Sequence, residues 1–137
     1  MQARTVRVIF LGAAVLLVLG IFGCGRDQEL TSITVTPSNT TITGQGLELQ
    51  FTALGHYIHP PESKDITNTV IWKSQADQII SFSTPDRPGL ATSGSGCGDN
   101  LGISAVVYSN PNNPSSGSAV IGTATVTVKQ INNPNCP

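Results

Sequence analysis

The sequence predicts an all-β fold, a two-sheet antiparallel β-sandwich, behind a short export segment. Three observations point there. From Leu30 onward, apolar residues recur with period two and the positions between them are rich in Thr, the pattern of strands with one buried and one solvated face. The 14 Gly and 9 Pro fall largely between these runs, as turns. No window after residue 25 carries an apolar stripe at helical spacing.

The elements follow in chain order. Arg4 and Arg7 are the only charges before residue 26, and the run Val8–Phe22, VIFLGAAVLLVLGIF, holds fifteen uncharged residues. As a helix it would span roughly 22 Å, short of the ~30 Å hydrocarbon core of a bilayer. A basic start, a short apolar run and a small residue at its end read as a secretory signal over residues 1–23 rather than a stable transmembrane helix. Residues 24–29, CGRDQE, read as a polar tether. Ile33 and Val35 then alternate with Thr34 and Thr36 up to Pro37. Leu47, Leu49, Phe51 and Ala53 alternate with Glu48, Gln50 and Thr52. Val70 and Trp72 alternate with Ile71 and Lys73; Ile103, Ala105 and Val107 with Ser104, Val106 and Tyr108; Ala124, Val126 and Val128 with Thr123, Thr125 and Thr127. Val and Thr suit such runs because a branched Cβ is stiff at χ1 and packs well on a pleated surface. Weaker strands are expected near 40–43, 79–83 and 90–92. Turns are expected at 37–39, 44–46, 60–61, 85–89 and 94–100, and a long polar loop over Asn110–Ser118, NPNNPSSGS. Seven or eight short strands in about 100 residues argue a sandwich; a closed barrel is the alternative and needs more even strand lengths. Trp72 is the one residue large enough to plug the space between two sheets, with Phe51, Val35, Val107 and Val126 as its expected inner-face neighbours.

Composition excludes some partners. The formal net charge is −1, and charged residues are 11% of the chain. No basic cluster is present to displace counterions from a nucleic acid, so no nucleic-acid partner is expected.

Two resemblances add to this reading. Ile21-Phe22-Gly23-Cys24 resembles the lipobox of bacterial lipoproteins. The resemblance implies diacylglycerol on the Cys24 thiol, cleavage before Cys24 and acylation of the new amino group. Two or three acyl chains, at ~0.8 kcal/mol per buried methylene, hold a protein on a bilayer where one chain is marginal. Lipoproteins kept at the inner membrane of enteric bacteria tend to carry Asp after the Cys; Gly25 here implies the outer membrane in a Gram-negative envelope. Removal of residues 1–23 takes away Arg4 and Arg7 and leaves five basic and eight acidic residues, a net charge of −3.

Leu30–Pro37 (LTSITVTP), Gly44, Leu49–Ala53 (LQFTA), Asp65-Ile66-Thr67 and Val70–Ser74 (VIWKS), in that order, resemble the bacterial Ig-like domain, group 2. Gly102–Ala105 and Gly122–Val128 are similar to the last two strands of that family. The resemblance covers residues 30–130 and implies an Ig-like sandwich used in surface display and adhesion. The segment 94–100 and the loop 110–118 depart from the family pattern and read as decorations, and residues 131–137 as a tail.

Export carries Cys97 and Cys136 into an oxidising compartment. With Cys24 taken by lipid, these two have one pairing, which would pin the tail onto the 94–100 turn. The closed segment of about 40 residues is worth roughly 4 kcal/mol in the chain-entropy model.

A search for chemistry finds little. His56, His59 and Glu62, in HYIHPPE, could form a two-His, one-carboxylate metal site if a loop brought them together, although His56 and His59 have opposite parity on a continuing strand. Gly94-Ser95-Gly96 lacks the context of a nucleophile elbow, and no Gly-rich segment opens a helix to cradle phosphate. Calcium ligands would have to come from Asp99-Asn100 or the Asp65 turn, which offer few acids, and no cofactor is expected. Asn39-Thr40-Thr41 fits a glycosylation acceptor but reads as an unmodified turn in a bacterial lipoprotein.

The expectation is therefore a non-enzymatic, lipid-anchored envelope protein with one Ig-like domain. It would touch the membrane through its lipid and a protein partner in the envelope or at the cell surface, through loops 55–64 and 109–119 or a strand edge. The alternative is a metal-binding or enzymatic periplasmic protein using His56, His59 and Glu62. Carbohydrate binding has only Tyr57 and Tyr108 as stacking candidates.

Overall fold

The computed structural model describes residues 28–137 other than 84, 111, 113, 114, 116, 132, 134, 135 and 137. The expected signal, Cys24 and most of the tether lie outside the described residues.

Within them the regular structure is strand throughout: β1 Glu29–Thr36, β2 Asn39–Thr43, β3 Glu48–Gln50, β4 Thr52–Ile58, β5 Glu62–Asp65, β6 Ile71–Ser74, β7 Ile80–Phe82, β8 Leu90–Ser93, β9 Gly98–Tyr108 and β10 Ala119–Lys129. They form sheets in the orders β1-β4-β5, β3-β8-β7 and β2-β10-β9-β6. All pairings are antiparallel except β2 with β10. β3 and β4 are one extended path broken at Phe51, whose N–H turns to the Gly89 carbonyl at 2.7 Å. The sheets of β3 and β4 thereby join into one layer, and the four-stranded sheet is the other. The chain also changes layer at Pro37-Ser38: β1 pairs with β4 on one side, and β2 runs beside β10 on the other. Such switching at a bend lets one strand serve both sheets of a sandwich.

The alternation read from sequence sets what lies between the layers. Phe51, Ile80, Ile103, Val126 and Val128 are fully buried, joined by Val35, Ile33, Ala53 and Ala105. Trp72 is 7% exposed. Its ring stacks on Phe82 at 5.3 Å and lies 6.1 Å from Phe51, so three aromatics from both layers meet in one cluster. Trp72 stands opposite Ala105, and that small residue makes room for the indole. Val107 packs against the core but is only half-buried, because it lies where the layers open near Leu30 and Val120.

Two glycines are imposed by close approach. Gly89 has φ of +78°, and a Cβ there would fall 2.3 Å from the Phe51 carbonyl oxygen. Gly122 lets β1 pass over β10: a Cβ would meet the Ile33 carbonyl oxygen at 2.6 Å.

The structure extends the sequence reading in three places. Of the expected loop 55–64, Gly55–Ile58 continue β4 and Glu62–Lys64, with Asp65, form β5 paired with Leu54–Tyr57, so only the turn between them remains loop. The weak strand expected at 40–43 is β2, which also takes in Asn39 of the expected 37–39 turn, and Gly98–Asn100 of the expected 94–100 turn opens β9. Ile131, just past β10, is 76% exposed.

The strand directions define two ends. At one, Glu29 of β1 meets Ile58 of β4, and the β9–β10 hairpin closes with Tyr108 opposite Ala119. Gln28, the β4–β5 turn, Ser109 and Ser118 gather there. At the other end lie Gly44–Leu47, Ser93–Cys97, Gln130, Ile131, Asn133 and Cys136. The first is the Gln28 end and the second the Cys136 end.

Candidate functional site

His56, His59 and Glu62 are separated by the hairpin they belong to. His56 points outward from β4 between its two neighbours: Nε2 lies 2.9 Å from Thr34 Oγ1 on β1, and Nδ1 lies 2.9 Å from Ser63 Oγ on β5. Both ring nitrogens thus stitch three strands together. His59 sits in the turn with φ of +63°, next to a cis bond to Pro60, and is exposed. Glu62 pairs with Lys64 at 3.1 Å and accepts from Gln28 Nε2 at 2.9 Å, while Lys64 Nζ donates to Gln28 Oε1 at 2.6 Å. Among the described residues no group of three His, Cys, Asp or Glu could hold a metal ion. The hydrogen bond from Gln28, then that from Lys64 and its charge, hold the Glu62 carboxyl below its ordinary pKa.

Asp65 closes β5. Its carboxylate accepts the Thr67 backbone N–H at 2.8 Å. Bonds from the Thr67 hydroxyl and N–H lower its pKa. The Thr67 hydroxyl also accepts the Ala53 N–H at 2.9 Å, and Thr69 N–H and Val70 N–H return to the Ile66 carbonyl. This turn carries the chain from the β4–β5 hairpin to the Trp72 strand.

The Cys136 end is built by long-range bonds. Cys97 and Cys136 form a disulfide, with Cα atoms 5.7 Å apart and a separation of 39 residues. Gln130 Nε2 donates to the carbonyls of Gly94 and Gly96 at 3.0 and 2.9 Å. Buried Ser93 donates from Oγ to the Gly44 carbonyl at 2.7 Å and accepts from the Leu47 N–H at 3.0 Å. A shallow hollow of about 340 Å³ lies here, lined by Gly44, Gln45, Ser95, Gln130, Ile131 and Asn133.

A third feature lies on the outer face of β6, β9 and β10. Register places Ile71, Val106 and Ile121 in one row across the three strands. Ile71 is 49% and Ile121 55% exposed, while Val106 between them is covered. Tyr108 lies one row nearer the Gln28 end, and Lys73 one row farther from it, beside Ser104 and Thr123. Lys73 Nζ reaches back to donate to the Tyr108 hydroxyl at 2.9 Å and stands 5.5 Å from the ring centroid. Toward the Cys136 end the face turns polar, with Gln75, Ser104, Thr123 and Thr125 around a shallow trough of about 530 Å³. Sequence reasoning missed this row, since its members come from three separate segments that only register aligns.

The groups singled out from sequence are thus distributed. Trp72, Phe51, Val35 and Val126 lie between the layers, Val107 at their opening, and Cys97 with Cys136 at one end. His56 lies on an outer face, and Cys24 falls outside the described residues. No protein-family model matches the chain, and no curated protein matches it.

Proposed function

We propose that the protein is a non-enzymatic, lipid-anchored envelope module. Cys24 carries the lipid, and residues 30–130 form a single Ig-like domain related to the bacterial group 2 domains. The domain serves as a structural or interaction element for an envelope or cell-surface protein partner. Outer-membrane placement follows from Gly25 in a Gram-negative envelope.

The observation that carries the reading is the fate of the reactive side chains. Both nitrogens of His56 are engaged by strand hydroxyls, Glu62 is engaged by Lys64 and Gln28, and Cys97 is engaged by Cys136. Each holds strands or ends together, which is what a rigid scaffold needs. A catalytic site would instead direct such groups to one point in a cleft.

Intact mass of the protein extracted from envelopes tests the anchor. The expected species begins at Cys24 with the mass of diacylglycerol and an N-acyl chain added, and Cys24→Ser leaves an unacylated chain. A wild-type species without acyl mass refutes the anchor. Stoichiometric zinc that is retained on purification and lost in His56→Ala would replace the scaffold reading with the metal-binding one.

A further inference from the structure

We propose that the outer-face row Ile71–Val106–Ile121, with Tyr108 and Lys73 beside it, rests on the bilayer, so that the domain leans on its β6-β9-β10 face rather than standing free on its lipid. This rests on acylation of Cys24 as proposed above.

The length of chain and the point where it enters the fold set the geometry. Gln28 is fixed to β5 by its bonds to Glu62 and Lys64. Cys24 precedes it by four residues, which reach at most ~14 Å when fully extended. The lipid therefore enters the membrane beside the Gln28 end, where Gln28 shares a hollow with Val107 of β9 and Val120 of β10, two strands of the four-stranded sheet.

The chemistry of the face fits a bilayer in the same direction. Near the Gln28 end the outer positions are Tyr108, Ala119, Ile71, Val106 and Ile121. From the Lys73 row onward they are Ser104, Thr123, Gly102 and Thr125, so the face grades from apolar at the anchored end to hydroxyl-rich toward the Cys136 end. Two half-exposed isoleucines supply apolar area to bury at the headgroup boundary. A tyrosine suits that depth, having an apolar body and a polar tip. Lysine suits it by laying its stem on apolar surface with its ammonium among headgroups. Leaning also brings the Tyr108–Ala119 end of the β9–β10 pair toward the membrane and leaves the Cys136 end for a partner.

The test uses the full acylated chain in phosphatidylethanolamine–phosphatidylglycerol vesicles that contain a nitroxide-headgroup lipid. A fluorescent amino acid is placed in turn at Ala119, His59 and Gln45, and intact mass reports acylation of each sample. The expected result is quenching at Ala119 about threefold above that at His59, with least at Gln45. In the Ile71→Ser, Ile121→Ser double variant the Ala119 signal falls to the His59 level. Should that variant lose its β circular-dichroism spectrum, Ile121→Ser alone carries the same comparison. Equal quenching at Ala119 and His59 in an acylated sample overturns the lean and leaves the anchor intact. So does an Ala119 signal that folded serine variants do not change. Cross-linking of two copies through Lys73 without quenching at Ala119 assigns the face to self-association and also overturns it. A chain without acyl mass removes the anchor and the lean together.

Discussion

The indole Nε1 of Trp72 donates to the carbonyl of Thr67 at 3.0 Å, and this bond closes the turn Ile66–Val70 onto the ring that fills the space between the layers. Thr67 is itself buried and holds Ala53 of β4 and Asp65 of β5 through its hydroxyl and N–H. The bond therefore couples the centre of the core to the entry of β6. Trp72→Phe should keep most of the packing and strand the buried carbonyl, at a cost of about 1–3 kcal/mol. Trp72→Ala should cost about 3–5 kcal/mol. Urea unfolding of the domain measures both, and equal midpoints for the wild type and Trp72→Ala would refute the assignment.

The disulfide makes a second prediction. Reduction, or Cys97→Ser with Cys136→Ser, should lower stability by about 2–4 kcal/mol, as expected for a crosslink of this span. Wild type melted in reductant should match the double variant melted without it.

Close backbone approach makes a third. Gly89→Ala forces a Cβ against the Phe51 carbonyl in a positive-φ conformation and should destabilise by more than about 1 kcal/mol. Gly122→Ala should act similarly by pushing β1 off β10. Thr123→Ala, exposed beside it, should stay within about 0.5 kcal/mol of wild type in the same unfolding assay.

The acid limb of stability follows from Asp65 and Glu62. Their folded pKa values are lowered, so their contribution is present above the unfolded values and is lost as pH falls through the folded ones. Thermal midpoints taken from neutral to strongly acid pH should fall less steeply in Asp65→Asn than in wild type. A parallel fall in both would show that the Thr67 bonds do not favour the charged form.

Strand content was legible because burial follows parity. Phe51, Trp72, Ile103 and Val126 stand at alternating positions and lie between the layers. β5 was hidden because ESKD has no apolar member, every residue in it is exposed, and pairing with β4 alone makes it a strand. The break between β3 and β4 at Phe51 was hidden as well, since one unbroken alternation runs from Leu47 to Ala53 while the partner strand changes beside it. Parity placed His56 and His59 on opposite faces of a continuing strand, but the hydroxyls flanking His56 depend on the registers of β1 and β5. The Cys97–Cys136 pairing was legible because few partners were available, whereas the Gln130 bonds to Gly94 and Gly96 join residues that no local pattern connects.

The parallel pairing of β2 with β10 has a mechanical consequence. Tension applied between the Gln28 end and the Cys136 end runs along these strands, one continuing from the held end and the other leaving toward the pulled one. Their five register pairs, Asn39–Thr43 against Thr125–Lys129, are then loaded in shear and must yield together rather than unzip in turn. Force entering at Cys136 divides between the end of β10 and, through the disulfide, the head of β9, so the crosslink acts as a clasp and the resistance to stretching resides in the body of the domain.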